Sequence, residues 1–211
     1  MMRWKDYGKL NHRLWASLEV PDNPRSKRGN NLLRTKKLEQ GPGISWQDTP
    51  MRIREAVAER DGDAIWTILE PVVRAGETYP LPRDMDRQAA LAYWFSPGHE
   101  VFIAENGNGI AGTYFLKANQ KGGGGHVANC GYMTALYATG KGVGRTMCEH
   151  SLERARERGF RAMQFNFVVS TNERAVRLWQ SIGFEIVGRL PRVFEHPRLG
   201  FVDAYVMYRE L

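Results

Sequence analysis

The alternation of apolar and polar residues divides positions 51–211 into a regular series of strands and helices. Residues 51–57 alternate apolar and charged side chains, which is typical of a half-exposed strand. Apolar residues then recur at helical spacing over residues 61–75, and a second helix is predicted for residues 86–95. The prolines of residues 76–84 exclude regular structure between these two helices.

The second half of the pattern predicts six more strands and two more helices. Residues 99–116 form a hairpin around an Asn-Gly turn, and a strand follows over residues 127–133. A helix with one apolar face begins at Val143 and stops at Gly159. A strand is predicted for residues 162–169 and a helix for residues 172–182, with Ser170 or Thr171 as its cap. Two further strands are predicted for residues 184–187 and 200–208. The order β-α-α-β-β-β-α-β-α-β-β predicts a single α/β domain with a mixed sheet.

A glycine-spaced turn, Thr139-Gly-Lys-Gly-Val-Gly144, joins the strand over residues 127–133 to its helix. Its glycines remove side chains where backbone N–H groups converge at a helix N-terminus, a geometry that suits phosphate or pyrophosphate. Lys141 and Arg145 add positive charge beside it. An ordinary glycine-rich turn explains the same residues equally well, and the spacing fits neither the P-loop nor the GxGxxG pattern.

Two sequence blocks resemble the GNAT N-acetyltransferase superfamily. Thr139–Gly144 is similar to its acyl-CoA pyrophosphate loop, Gln/Arg-x-x-Gly-x-Gly/Ala. Asn172–Phe184 is similar to its Asn-x-x-Ala-x-x-x-Tyr-x-x-x-Gly-Phe block. The resemblance covers residues 51–211. It implies a single-domain GNAT fold with a mixed, mostly antiparallel seven-stranded sheet, splayed at the acyl-CoA site, and helices on both faces.

The resemblance also implies acetyl-CoA as co-substrate, no metal, and direct attack of an amine on the thioester in a ternary complex. Backbone groups of Met133, Thr134 and Ala135 would pair with the pantetheine amides, and Asn172 would lie near the pantetheine or the thioester. The pyrophosphate would be held by the loop, with a basic residue next to it, which assigns Thr139, Gly140, Lys141, Gly142, Val143, Gly144 and Arg145 to cofactor binding.

The proton chemistry departs from the family pattern at one position. The tyrosine that often protonates the leaving thiolate is Trp179 in this chain. Because an indole N–H cannot serve as an acid near neutral pH, we expect water or another tyrosine such as Tyr132 to do so. Trp179 itself is predicted to be a core aromatic residue. Cys130 could be a nucleophile, although a small buried residue in a strand explains it better.

Substrate binding is predicted for three asparagines that converge where the sheet splays, Asn129, Asn166 and Asn172, although hydrogen bonds within the fold explain them equally well. Asn129 and Asn166 are also catalytic candidates. Glu77 and Tyr79, on the loop between the first two helices, are candidate substrate contacts. The asparagine spacing resembles, more thinly, the yeast acetyltransferases that detoxify the proline analogue azetidine-2-carboxylate. That likeness implies a small amino acid or a toxic analogue as acceptor. An acceptor of the phosphinothricin or methionine-sulfoximine kind and a non-catalytic acyl-CoA sensor remain open.

Composition narrows the location and the partners. The net charge of +7 resides mainly in residues 1–50, which hold ten Lys and Arg against five Asp and Glu. We expect this segment to be a disordered extension, or to lie upstream of a native start at Met51. The remaining domain is nearly neutral, so nucleic acid is not an expected partner. The chain shows no signal peptide, no apolar run of membrane-spanning length and no metal-ligand spacing, which favours a cytoplasmic protein. The resemblance implies a homodimer.

Overall fold

The computed structural model describes residues 50–211. The predicted basic extension therefore lies, apart from Pro50, outside the described residues. The elements, in chain order, are β1 (Arg52–Glu55), α1 (Ala58–Ala75), α2 (Arg87–Trp94), β2 (Glu100–Asn106), β3 (Gly109–Ala118), β4 (Val127–Thr134), α3 (Val143–Glu157), β5 (Ala162–Val169), α4 (Glu173–Ser181), β6 (Glu185–His196) and β7 (Gly200–Glu210). This order confirms the one predicted from the hydrophobic pattern.

The seven strands form one sheet in the order β1-β2-β3-β4-β5-β7-β6. Every neighbouring pair is antiparallel except β4 and β5, which are parallel. The predicted mixed, mostly antiparallel GNAT sheet is thus confirmed. Strand β6 extends well beyond the predicted residues 184–187, because two register irregularities, one of them between Leu190 and Phe194, accommodate Pro191.

Capping residues fix the helix ends that frame the later site. Helix α1 stops at Gly76, which adopts a left-handed φ of 62°. Asp86 is the N-cap of helix α2, and its carboxylate accepts a hydrogen bond from the Ala89 N–H at 2.8 Å. The cap of α4 is Asn172, and the prediction of Ser170 or Thr171 was wrong. Asn172 takes this place because its side-chain oxygen accepts the N–H three residues further on.

Helices cover both faces of the sheet. On one face, Trp94 of α2 donates its indole N–H to Thr113 Oγ1 of β3 at 3.0 Å. On the opposite face, α3 lies so close to Gly112 that a Cβ there would sit 2.9 Å from Met147 and Val143. The absence of a side chain at this glycine therefore permits the helix to approach the strand.

A buried carboxylate ties the first helix to the sheet edge. Asp61 is only 2% exposed, and its carboxylate accepts hydrogen bonds from both Nη atoms of Arg54, at 2.8 and 2.9 Å. Arg54 also reaches Glu105 on β2. The hydrogen bonds from Arg54 lower the pKa of Asp61 far below its ordinary value, so the carboxylate is charged at neutral pH.

The sheet opens between β4 and β5. Their ladder contains two pairs, Val127 with Ala162 and Ala128 with Met163, and the rest of β4 runs beyond it toward Thr134. On the other side of the gap, β5 carries a bulge between Phe165 and Val168 in its pairing with β7. The predicted splay therefore begins directly after Ala128.

Within residues 50–211, none of the helices combines the length and the apolar composition that crossing a bilayer requires.

Candidate active site

Two cavities meet at the opening of the sheet. The first, of about 280 Å³, contains all three predicted asparagines, and we name it the amide cavity. The second, of about 450 Å³, follows the glycine-spaced loop, and we name it the loop groove. Both are lined by residues from the loop after α1, from β4 and from α4, namely Thr78, Tyr79, Tyr132, Asn172, Ala175 and Trp179. The two cavities therefore adjoin one another and share a wall formed by these residues.

The loop groove ends at the N-terminus of α3. Gly140 and Gly142 adopt left-handed φ angles of 87° and 83°, which place the chain in a tight turn that an L side chain would strain. Gly142 is the N-cap, no side chain caps the helix, and its first turn holds no acidic residue. The first N–H groups of the helix, which have no intrahelical acceptor, are the donors that an anion needs.

Most of the predicted cofactor residues line this groove. They are Met133, Thr134, Thr139, Gly140, Gly142, Val143, Gly144, Arg145 and Asn172. Ala135 and Lys141 are not among the lining residues. The Ala135 N–H donates to Ala111 O at 2.9 Å, so this donor is already used by the fold. Because hydrogen-bonded pairs alternate along the antiparallel ladder, the backbone groups of Met133 face Thr113 of β3, so its predicted pairing with the pantetheine was also wrong. Tyr132 and Thr134 carry the backbone groups that face the gap.

Two arginines bring positive charge to the groove. Arg145, which the sequence predicted, donates to Ser181 Oγ of α4 at 2.7 Å. Arg174 was not predicted from the sequence. Its Nη2 atom lies 3.5 Å from the position that a Cβ atom at Gly140 would occupy. Its position two residues after Asn172, inside the second block, was the signal available in the sequence.

The asparagines form part of a chain of side-chain amides across the opening. Asn129 donates its Nδ2 to the backbone oxygen of Gln164 at 2.7 Å, where the ladder between β4 and β5 has ended. Asn166 accepts from Gln164 Nε2 at 2.7 Å and donates to Asn119 Oδ1 at 2.6 Å. The structure therefore brings Asn129, Asn166 and Asn172 to one cavity and engages each of them within the fold as well.

The floor of the amide cavity is aromatic. The Phe115 ring packs against Trp94, Tyr93 and His99, with centroid distances of 5.0, 6.2 and 4.2 Å. A side chain at Gly131 would begin 2.6 Å from this ring, so only glycine leaves room for it. The sequence analysis did not predict these aromatic residues as part of the site. The signal available was Gly131, because a glycine inside a strand often marks the close approach of another group.

Of the two candidate substrate contacts on the loop after α1, Tyr79 lies at the site and Glu77 does not. Tyr79 lies between the cavities and donates its hydroxyl to Tyr132 O at 2.9 Å. Burial raises its pKa far above the ordinary value, so the hydroxyl stays protonated. Glu77 pairs with Arg198 at 2.8 Å and lines neither cavity, so the structure does not bring it to the site.

Three further side chains bear on proton transfer and nucleophilic attack. The Tyr132 hydroxyl lies 2.7 Å from Ser151 Oγ on α3, and burial raises its pKa well above the ordinary value. Its role as an acid stays a prediction. Trp179 is buried against Tyr132 and Phe165, as predicted for a core aromatic residue. Burial also raises the pKa of the Cys130 thiol far above its ordinary value, which makes this thiol a poor nucleophile.

Neither cavity offers a side chain of the usual general-base type. Among the described residues that line them, none is Asp, Glu or His. The described residues also hold no cluster of three His, Cys, Asp or Glu side chains arranged for a metal ion. The site thus consists of backbone donors, amides, aromatic rings and a few cations.

The opened parallel strand pair, the uncapped N-terminus of α3 beside it and the adjoining second cavity form a site in which a phosphate-bearing ligand and a second molecule can lie side by side. The chain matches the model of the acetyltransferase (GNAT) family over residues 46–184. Since this match covers more than half of the chain, the protein belongs to the GNAT family and is an acyltransferase of the N-acetyltransferase type.

Known proteins agree with this assignment. N-acetyltransferase aca1 of Schizosaccharomyces pombe is 28% identical over 153 residues, which is 64% of this chain and 72% of that protein. A GCN5-related N-acetyltransferase from Kribbella flavida is 38% identical, with a TM-score of 0.72 over 76% of this chain and 98% of that one. The phosphinothricin acetyltransferase of Sinorhizobium meliloti, in complex with acetyl-CoA, shares the fold at 22% identity, with a TM-score of 0.66 over 76% and 88%.

Proposed function

We propose that the protein transfers an acetyl group from acetyl-CoA to the amine of a small molecule, an amino acid or a toxic amino-acid analogue. The observation that carries this proposal is the shared wall of the two cavities. A donor that follows the loop groove and an acceptor in the amide cavity would meet at Tyr79, Asn172 and Trp179. Direct transfer between two bound substrates requires this proximity.

The loop groove fits the phosphate end of acetyl-CoA. Gly142 has no atom within 4 Å of where its side chain would begin, so the backbone is open to a ligand. The α3 N-terminus supplies N–H donors without a competing acidic side chain, and Arg145 and Arg174 supply counter-charge. When bound, acetyl-CoA supplies an activated thioester. The gap-facing backbone of Tyr132 and Thr134 would pair with the amides of the pantetheine arm.

The amide cavity fits a small acceptor. Its volume of about 280 Å³ is at the lower limit for ligand pockets, which favours a molecule of amino-acid size over a folded protein segment. Asn129, Asn166 and Asn172 offer both donors and acceptors, and Phe115 and Tyr93 offer an apolar surface. This combination suits a compact molecule with polar groups and a short hydrocarbon body.

The chemistry would be direct attack. The acceptor nitrogen forms a bond to the thioester carbonyl carbon, the carbon–sulfur bond breaks, and CoA leaves as its thiol. The protonated Cys130 thiol makes an acetyl-enzyme at this residue unfavourable. Because no Asp, Glu or His lines the cavities, the acceptor binds as the neutral amine, or loses its proton to water. Tyr79 lines both cavities, but its hydroxyl already donates its proton to Tyr132 O, so the leaving thiolate takes up its proton from water or from the attacking amine.

Mass spectrometry of the products from acetyl-CoA and a panel of amines would test this function. The panel would contain amino acids, azetidine-2-carboxylate, phosphinothricin, methionine sulfoximine and polyamines. An acetylated amino acid or analogue is the expected product, and acetylated phosphinothricin would identify the alternative acceptor class. Binding of acetyl-CoA without any acetylated product would contradict the proposal and favour a sensor. The homodimer, the cytoplasmic location and a role in detoxification stay predictions.

A further inference from the structure

The amide cavity contains a single kind of charge. Among the described residues that line it, Lys117 is the only charged one, and the others are aromatic, aliphatic or neutral polar. Arg145 and Arg174 line the loop groove and do not line the amide cavity. Lys117 is therefore the one formal charge that the described lining residues present to a ligand in this cavity.

Lys117 lies in the wall of the cavity that is proposed to bind the acceptor. It stands on β3 directly opposite Asn129 of β4, so the two side chains lie on the same face of the sheet. Phe115, two residues earlier on the strand, shares this face, and the Lys117 ammonium lies 5.9 Å from the centroid of its ring. Phe115, Asn129 and Lys117 thus lie side by side in one wall of the cavity.

The ammonium of Lys117 lacks a carboxylate partner in the described part of the chain. The ion pairs of residues 50–211 do not include it, whereas Arg54, Arg154 and Arg189 each have a carboxylate partner. Lys117 is half-buried, so part of its solvation is lost without compensation from an anion. A ligand with a negative group would supply that compensation.

We propose that Lys117 selects acceptors that carry an anionic group, a carboxylate or a phosphinate, close to the amine. This inference rests on the proposed function and adds to it the residue that determines specificity. The ammonium attracts the anionic group and repels acceptors whose only charges are positive, such as polyamines. Through the same repulsion it favours the neutral, nucleophilic form of the acceptor amine over the ammonium form.

The test compares the best acceptor of the panel with its uncharged carboxamide, which removes the anion and keeps the amine. Because the carboxamide also changes the basicity of the amine, the informative quantity is the ratio of the two kcat/KM values, compared between proteins. Lys117→Met keeps the aliphatic chain and removes the charge. Lys117→Arg keeps the charge. Lys121→Met, on an exposed turn outside both cavities, is the matched control.

We expect the acid-to-amide ratio to fall at least ~10-fold in Lys117→Met, as for loss of a charged hydrogen bond. It should change less than ~3-fold in Lys117→Arg and in Lys121→Met. An unchanged ratio in Lys117→Met would overturn the proposal, and so would a best acceptor that has no anionic group. Absence of turnover with every acceptor would instead contradict the proposed function itself. Thermal unfolding of each variant verifies that the fold is intact.

Discussion

Gly142→Asp is the sharpest perturbation of the phosphate site that the structure offers. Gly142 is the N-cap of α3, with a φ of 83° and open space around it. An aspartate there meets no steric clash but places a negative charge at the helix N-terminus, where the pyrophosphate is proposed to bind. Gly142→Asn is the matched control, because asparagine has the same size and tolerates the same left-handed φ without the charge.

The size of the effect follows from Coulomb's law. A carboxylate about 6 Å from one phosphate charge, at an effective dielectric constant between ~20 and ~40, costs about 1.4–2.8 kcal/mol. This corresponds to a Kd for acetyl-CoA that is roughly 10- to 100-fold higher in Gly142→Asp than in Gly142→Asn. The strain of a side chain at this φ, about 1–2 kcal/mol, is shared by both variants and cancels in the comparison.

Isothermal titration calorimetry with acetyl-CoA at low and at high salt would measure both Kd values. The difference between the variants should shrink as salt is added, since the repulsion is partly exposed to solvent and is screened. Thermal unfolding should give similar midpoints for the two proteins. Equal affinities for acetyl-CoA at low salt, with both variants folded, would show that the phosphates do not lie at this helix N-terminus.

Other changes test the acceptor side and the stability of the fold. Asn166→Ala should raise the KM for the acceptor roughly 2- to 10-fold through loss of a neutral hydrogen bond, and leave acetyl-CoA affinity unchanged. Steady-state kinetics would measure both, and an unaltered acceptor KM would make the residue structural. Gly131→Ala should destabilise the protein by about 1–3 kcal/mol, because its Cβ would lie 2.6 Å from the Phe115 ring. Urea unfolding measures this cost, and an unchanged midpoint would refute the close packing. Asp61→Asn should cost about 1–3 kcal/mol at pH 7, because the charge-assisted hydrogen bonds to Asp61 are lost while Arg54 keeps Glu105 as its partner. Because the pKa of Asp61 is lowered in the folded state, its contribution is present above the ordinary value of 3.8 and is lost as the pH falls below it. Urea unfolding at pH 7 and pH 3 should therefore show a smaller difference between variant and parent at the lower pH, and an equal difference would contradict the assignment.

The order of elements was predictable because hydrophobic periodicity decides it. The period of two in the strands and of 3.6 in the helices survives in most segments, and the glycine-spaced turn marks the start of α3. Strand β6 was underestimated because Pro191 interrupts its pattern, and the irregularity that accommodates a proline depends on the partner strand.

The site was predictable only where neighbouring residues act together. The loop residues 139–145 form one turn, so their spacing in the sequence is also their spacing in space. Tyr132 shows the limit of that reasoning. It lies three residues after Asn129 on the same strand, so the two side chains point to opposite faces, and the Tyr132 hydroxyl reaches Ser151 of α3. Period-two alternation could have shown this difference.

Contacts between distant parts of the chain gave no signal. Glu77 pairs with Arg198 across more than a hundred residues, and this pairing removes its carboxylate from the cavities. Lys117 belongs to the site because β3 and β4 pair in a register that sets it opposite Asn129. Neither relation follows from local pattern, since both depend on how strands and loops pack after folding.

Release of CoA thiol, followed as a function of acceptor concentration at saturating acetyl-CoA, tests the central claim most directly. If two substrates meet at the shared wall of the cavities, the rate must depend on the acceptor and saturate with it, and the thiol released must equal the acetylated amine formed. The account predicts this behaviour for an amino acid or an analogue. Two results would contradict the account. One is thiol release at a rate that does not depend on the concentration of any amine, and the other is no thiol release although acetyl-CoA binds.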